Sequence, residues 1–163
     1  MNSICAKNNL IDTGLFWFLA IALVIVLAIF ILALIRRYRW SLFRVDRMCG
    51  HDFESFMKDV YSILGYKVEE TKRSGDQGID LIIKKHFRSV GVQLKRYSKP
   101  VGNFAVQEAV AGKKYYKLDR VLVLTNKSFT KSAIELAKAN KVELLGREDL
   151  KNLLKKAKKK AKK

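Results

Sequence analysis

Residues Leu15 to Ile35 form 21 consecutive positions without a charged or strongly polar side chain. As a helix the run spans roughly 31 Å, enough to cross the hydrocarbon core of a bilayer. Trp17 near one end and Tyr38 and Trp40 beyond the other suit two membrane interfaces. A buried core helix is the competing reading, and the unbroken apolar run argues against it. A cleaved signal peptide fits worse, because the run is too long and its basic flank lies on the wrong side. Arg36, Arg37, Arg39, Arg44 and Arg47 follow the run, against Lys7 alone before it. That bias predicts a single-pass protein, expected in a bacterial inner membrane, with its amino terminus outside and residues 36–163 cytoplasmic.

The remaining chain divides by composition into a short extracytoplasmic segment 1–14, a basic linker 36–50, a globular region 51–150 and a lysine-rich tail 151–163. The first is short and polar and expected to lack a fold of its own. The linker arginines could also touch anionic headgroups. The net charge is +18, from 33 Lys and Arg against 15 Asp and Glu. Residues 41–163 hold +15 of it, and +8 remains once the seven lysines from Lys155 to Lys163 are set aside. A solvated tail therefore does not account for the excess, and polyanionic partners are implied: nucleic acid, anionic lipid or both. Cys5 and Cys49 flank the apolar run, and no Cys/His cluster has zinc spacing.

From His51 the pattern turns helical: Phe53, Phe56, Met57, Val60, Ile63 and Leu64 recur at three- and four-residue steps, and Gly65 is a stop signal. Glu54 lies beside this stripe; taken alone it reads as a solvated first-turn acid. Tyr66 to Thr71 reads as a strand. A turn, Lys72-Arg73-Ser74-Gly75-Asp76, leads to two further strands. Asn103 is a helix cap for Phe104 to Lys117, and Arg120 to Thr125 is a strand buried on both faces. Thr130 to Asn140 is a helix, Val142 to Leu145 a last strand, and Glu148 to Leu154 a final helix giving way to the tail. A three-strand meander followed by strand-helix-strand crossovers predicts an α/β fold, a mixed sheet flanked by helices.

The chemistry concentrates between Asp76 and Lys95. Apolar Leu81-Ile82-Ile83 and the alternating Ser89 to Lys95 flank a basic connection, Lys84 to Arg88, which reads as a hairpin. Alternation puts Gln93 and Lys95 on one face, away from Val90, Val92 and Leu94. Asp80 begins the neighbouring strand. A carboxylate, an amide and an ammonium can thus converge on one patch. The carboxylate can hold a divalent cation, and the ammonium can orient water or offset charge on phosphate. The alternative is a surface salt-bridge network.

The order of these pieces resembles the catalytic domain of the Mrr family of restriction endonuclease-like nucleases. The matching stretches are Asp52 to Phe56, Leu64 to Val68, Ser74 to Leu81, Val92 to Tyr97, Val101 to Glu108 and Thr125 to Thr130, within residues 51–150. The resemblance implies a restriction endonuclease-like, PD-(D/E)xK-type fold preceded by the single transmembrane helix. It implies a phosphodiesterase site using Mg²⁺ or Mn²⁺, with Asp80, Glu54 and Gln93 as metal ligands and Lys95 as the catalytic lysine. Glu54 thereby gains a role that its own position does not suggest. Asp76 becomes a candidate outer ligand or merely a turn residue. Gln107 becomes a candidate contact to the site or to DNA, or simply a surface helix position.

Fuller enzymes of this kind carry a DNA-recognition domain before the nuclease domain. Here a membrane span and a short linker occupy that place, so affinity from phosphate contacts with sparse sequence specificity is expected. The expected partner is double-stranded DNA, with restriction of foreign DNA as the expected setting. Double-strand cleavage would suggest a homodimer. The lysine tail suits DNA or the inner leaflet equally. The competing expectation is a catalytically inactive, membrane-tethered DNA-binding module of the same fold.

Overall fold

The computed structural model describes residues 2–71 and 77–162, the side chains of 2–14 and 36 excepted. The chain divides into two compact units, Met1–Arg39 and Trp40–Lys163. The first is one helix, α1 (Asn2–Arg39). It therefore includes the amino-terminal segment expected to lack a fold. Its window Leu15–Arg39 has a mean hydropathy of 3.5, and none of it is buried in the structure. By length and composition it is the one helix among the described residues able to cross a membrane.

The second unit is a five-stranded sheet whose spatial order equals chain order: β1 (Lys67–Glu70), β2 (Leu81–Lys85), β3 (Arg88–Lys95), β4 (Arg120–Thr125) and β5 (Glu143–Leu145). The first three strands are antiparallel, and β3, β4 and β5 run parallel. Each parallel step needs a crossover, supplied by α4 (Asn103–Tyr115) and α5 (Lys131–Ala139). The sheet is thus mixed, as its sequence pattern predicts, with a helix layer on each face.

One layer consists of α3 (Gly50–Ile63) and α6 (Arg147–Lys160). Its core joins Phe53, Met57 and Val60 of α3 and Leu150 and Leu154 of α6 to Leu81, Val92 and Leu124 of the sheet. The other core joins Ala105, Val106 and Ala109 of α4 and Ala133 and Ala137 of α5 to Ile79, Val121 and Val123. Within the strands period-two alternation separates these sets, while Ile79, ahead of β2, falls in the second core although Leu81 lies in the first.

Four local expectations are revised. The basic hairpin connection is only His86-Phe87, because β2 runs to Lys85 and β3 starts at Arg88. Lys84 pairs with Glu69 at 2.8 Å and Lys85 lies 5.1 Å from the Tyr66 ring centre, so both lysines belong to the sheet surface. Gly102, not Asn103, is the N-cap of α4, and it makes no side-chain capping bond. The lysine tail stays helical to Lys160, because Ala157 extends the buried stripe of Leu150 and Leu154. The stretch expected to be a linker holds α2 (Leu42–Val45), and it buries Val45 and Met48 in the core.

Asp46 fastens this segment. Its carboxylate takes a bidentate pair from Arg147 (2.8 and 2.9 Å) and a third bond from Asn126 Nδ2 at 2.7 Å. The Arg147 bond, opposed by partial burial and helped by Asn126, holds the Asp46 carboxyl below the usual aspartate range. Asn126 Oδ1 in turn accepts the Tyr97 amide at 2.9 Å, just past the end of β3.

Candidate active site

The site is built where β2 begins and β3 ends. Leu81 pairs with Val92 across these antiparallel strands. The Asp80 amide also donates to the Val92 carbonyl at 3.0 Å, so Asp80 and Leu81 both lie opposite Val92 and the strand bulges at the aspartate. The Asp80 Oδ2 accepts the Leu94 amide at 2.5 Å, which pins the carboxylate against β3. From the β1 side, the Thr71 hydroxyl donates to the carbonyls of Ile79 and Asp80, and the Thr71 amide reaches the latter at 3.2 Å. Backbone bonds on both sides thus hold this aspartate.

Gln93 pairs in register with Val123 of β4 and so faces the α4 layer. It is only 3% exposed. Its Oε1 is buried and accepts no hydrogen bond among the described residues. A buried amide oxygen without a donor is costly. A hard cation beside Asp80 would satisfy it, because amide and carboxylate oxygens are the donors that Mg²⁺ and Mn²⁺ prefer. The donor set therefore fits a divalent metal. Among the described residues, however, no three His, Cys, Asp or Glu side chains gather as a metal cluster.

Lys95 lies two positions beyond Gln93 on the same face. Its Nζ is 2.8 Å from Glu108 Oε2 of α4, with side-chain exposures of 15% and 25%. Burial alone would lower the ammonium pKa. The bond and charge of Glu108, with Tyr97 and Asp80 adding to them, outweigh that and raise it above the ordinary lysine value. Lys95 is therefore a fixed cation across the neutral range, suited to offset anionic charge rather than to take up a proton.

The loop before Asp80 is pressed against α4. Gln77 and Gly78 have φ of 50° and 81°. A Cβ on Gly78 would come within 2.7 Å of Glu108 Cβ and closer still to the Glu108 backbone. A Cβ on Gly112, one helical turn along α4, would stand 2.7 Å from the Gln77 carbonyl oxygen. Only glycine at both points allows this approach.

Asp80, Gln93 and Lys95 are thus brought together. Glu54 is not joined to them by a hydrogen bond or ion pair: it lies half-exposed beside His51, Oε2 to Nδ1 3.9 Å. The apolar stripe of its helix packs on the opposite face, against Leu81 and Leu94. Gln107 points outward on α4 and is exposed. Asp76 lies outside the described residues. The residue that sequence reasoning passed over is Glu108. Its signal was available: it falls three residues after Ala105 in the stripe Ala105, Glu108, Ala109, Gly112, an acid where a helix of this layer buries small residues.

A restriction endonuclease family model, Mrr_cat, matches residues 45–154, more than half of the chain. No curated protein matches the sequence. Among solved structures, the DNA modification-dependent restriction endonuclease AspBHI is similar, with a TM-score of 0.56 and 16% identity over 77% of this chain and 38% of that one. A protein of unknown function, AF1548, is similar with a TM-score of 0.50 and 16% identity over 60% of this chain and 62% of the other. This chain thus spans less than two thirds of either, and at these identities both likenesses bear on the fold alone. The family match covers the whole stretch from Val45 to Leu154, including every element that builds the site, and the chain belongs to the Mrr-type restriction endonuclease family.

Proposed function

We propose that the protein is a membrane-anchored, divalent-metal-dependent endonuclease that hydrolyses phosphodiester bonds in DNA, with double-stranded DNA as its substrate. The observation that carries this reading is the buried Gln93 Oε1, without a donor among the described residues, on the face that holds Lys95 and next to Asp80, which bonds the Leu94 amide. Asp80 and Gln93 would hold Mg²⁺ or Mn²⁺, with Glu54 completing the oxygen set and Asp76 supporting it. The ion would polarise the scissile phosphate and acidify an attacking water. Lys95 offsets the charge that grows on phosphate, and its covered position strengthens that effect. The basic surface supplies affinity through phosphate contacts, so binding should weaken steeply with salt. A homodimer would place two such sites on the two strands.

The wholly unburied apolar helix supports anchoring through residues 15–35. The arginine bias supports a cytoplasmic nuclease unit in a bacterial inner membrane, placed to meet incoming DNA. One observation favours a second reading, an inactive DNA-binding module: among the described residues the Glu54 carboxylate has an ion-pair contact with His51, at 3.9 Å, and none with Lys95.

The test uses the full chain in detergent micelles with supercoiled plasmid. Cutting with Mg²⁺ that is abolished by EDTA, by Asp80→Ala and by Lys95→Ala is the expected result. Salt-sensitive binding without cutting would establish the module instead. Recovery of the protein in the soluble fraction of cells expressing the full chain would overturn the anchoring.

A further inference from the structure

Lys95 and Glu108 come from different layers, a strand and the helix that crosses over it. Their charged atoms are 2.8 Å apart and both side chains are largely covered. Covering such a pair costs desolvation, so its net contribution to stability is small, and apolar replacements are often as stable. What the pair does fix is direction: the lysine side chain has four rotatable bonds and would otherwise sample many positions. The helix that carries the carboxylate is itself indexed to the site. Gly78, two residues before Asp80, abuts the Glu108 backbone, and Gly112 abuts the Gln77 carbonyl. Thus the loop that delivers Asp80 and the acid that holds Lys95 share one contact.

We propose that Glu108 is a positioning residue for Lys95: it holds the ammonium at a set place relative to Asp80 and Gln93, and the glycine contact of α4 with the 77–78 turn sets that place. The role rests on the nuclease reading for its consequence in catalysis but not for the contact itself. Gln107, the neighbour singled out by the family resemblance, faces outward and has no part in it.

The experiment compares wild type, Glu108→Gln, Glu108→Asp and Lys95→Arg as full chains in micelles. Two readouts are used: the ¹⁵N NMR signal of the Lys95 ammonium, assigned by its loss in Lys95→Arg, and plasmid cleavage. Glu108→Gln keeps the shape and removes the charge. It is expected to abolish the slow-exchanging ammonium signal and to lower kcat about 10- to 100-fold, with KM for DNA and Tm unchanged. Glu108→Asp, a shorter carboxylate, should restore part of both. Survival of the ammonium signal in Glu108→Gln overturns the proposal, as does an unchanged kcat in that variant. A rise in KM and a fall in Tm with no effect on kcat would mark a merely structural residue and also overturn it. If the wild type cuts no DNA under any metal, the nuclease reading fails, and the ammonium signal alone then decides whether Glu108 holds Lys95. If Glu108→Gln fails to fold, the partial loss expected of Glu108→Asp decides in its place, and wild-type behaviour there overturns the role.

Discussion

The two faces of the central sheet are made from the same strands and differ in kind. Toward α3 and α6 the strands present Leu81, Ile83, Val92, Leu94, Leu122 and Leu124, a continuous aliphatic layer. Toward α4 the same strands present Gln93 and Lys95 beside Ile79, Val121 and Val123, and the facing helix answers with alanines, glycine and Glu108. The first face is filled by large side chains, where volume sets the energy. On the second, small residues bring a helix backbone close enough to handle polar groups. Neighbours in sequence thus serve opposite ends: Asp80 bonds the Leu94 amide at the candidate site, and Leu81 packs in the aliphatic core.

That contrast can be broken most sharply at those two neighbours. Asp80→Ala should lower cleavage by about a thousandfold, as expected for loss of a charged group at the reacting centre, with its melting temperature unchanged. A variant that still cuts near the wild-type rate would remove Asp80 from the site. Leu81→Ala, at a fully buried position, should cost about 3 kcal/mol of stability. Urea unfolding measures this, and a midpoint equal to wild type would deny Leu81 its place in the core.

On the α4 face lies the glycine contact. Gly78→Ala strains a backbone at φ 81° and crowds Glu108; it should cost about 2 kcal/mol and also slow cleavage. Loss of stability with full activity would separate the contact from the site. A smaller effect is expected at the clamp that ties the segment after α2 to the end of β3. Asp46→Asn should cost about 1 kcal/mol at neutral pH, a modest figure because the pair is partly solvated. The Arg147 bond holds the folded Asp46 carboxyl below its unfolded value. Its stabilisation is therefore present above the ordinary aspartate pKa and lost as pH falls through the depressed folded one. Wild type and variant should converge in acid, and a gap that persists at low pH would show that packing rather than charge holds the clamp. The smallest effect belongs to the exposed Arg120–Glu143 pair, 3.4 Å apart. Glu143→Gln should change stability by less than about 0.5 kcal/mol, and a larger change by denaturant titration would mean that β5 depends on this pair.

Much of this architecture is written in local pattern. Alternation from Ser89 to Lys95 places Gln93 and Lys95 on one face, because a pleated strand leaves no other choice. The continuous apolar run Val121 to Leu124 gives a central strand, and the three- and four-residue steps from Phe53 to Val60 give α3. Local pattern fails where partners are remote. The tail stays helical because Ala157 finds a core assembled from elements far back in the chain. The segment around Val45 is ordered because Asp46 meets Arg147, 101 positions away. Glu54 shows the reverse: its helix was legible, but its neighbour His51, at 3.9 Å, is set by the helix itself and not by the sheet.

The sequence by itself determined the five strands and most helices, their order, the apolar helix and the shared face of Gln93 and Lys95, since periodicity is a property of neighbouring residues. Only the tertiary structure decided which acid meets Lys95. A charge pair across two layers depends on how closely a helix can approach a sheet, and two glycines far apart in the chain set that approach.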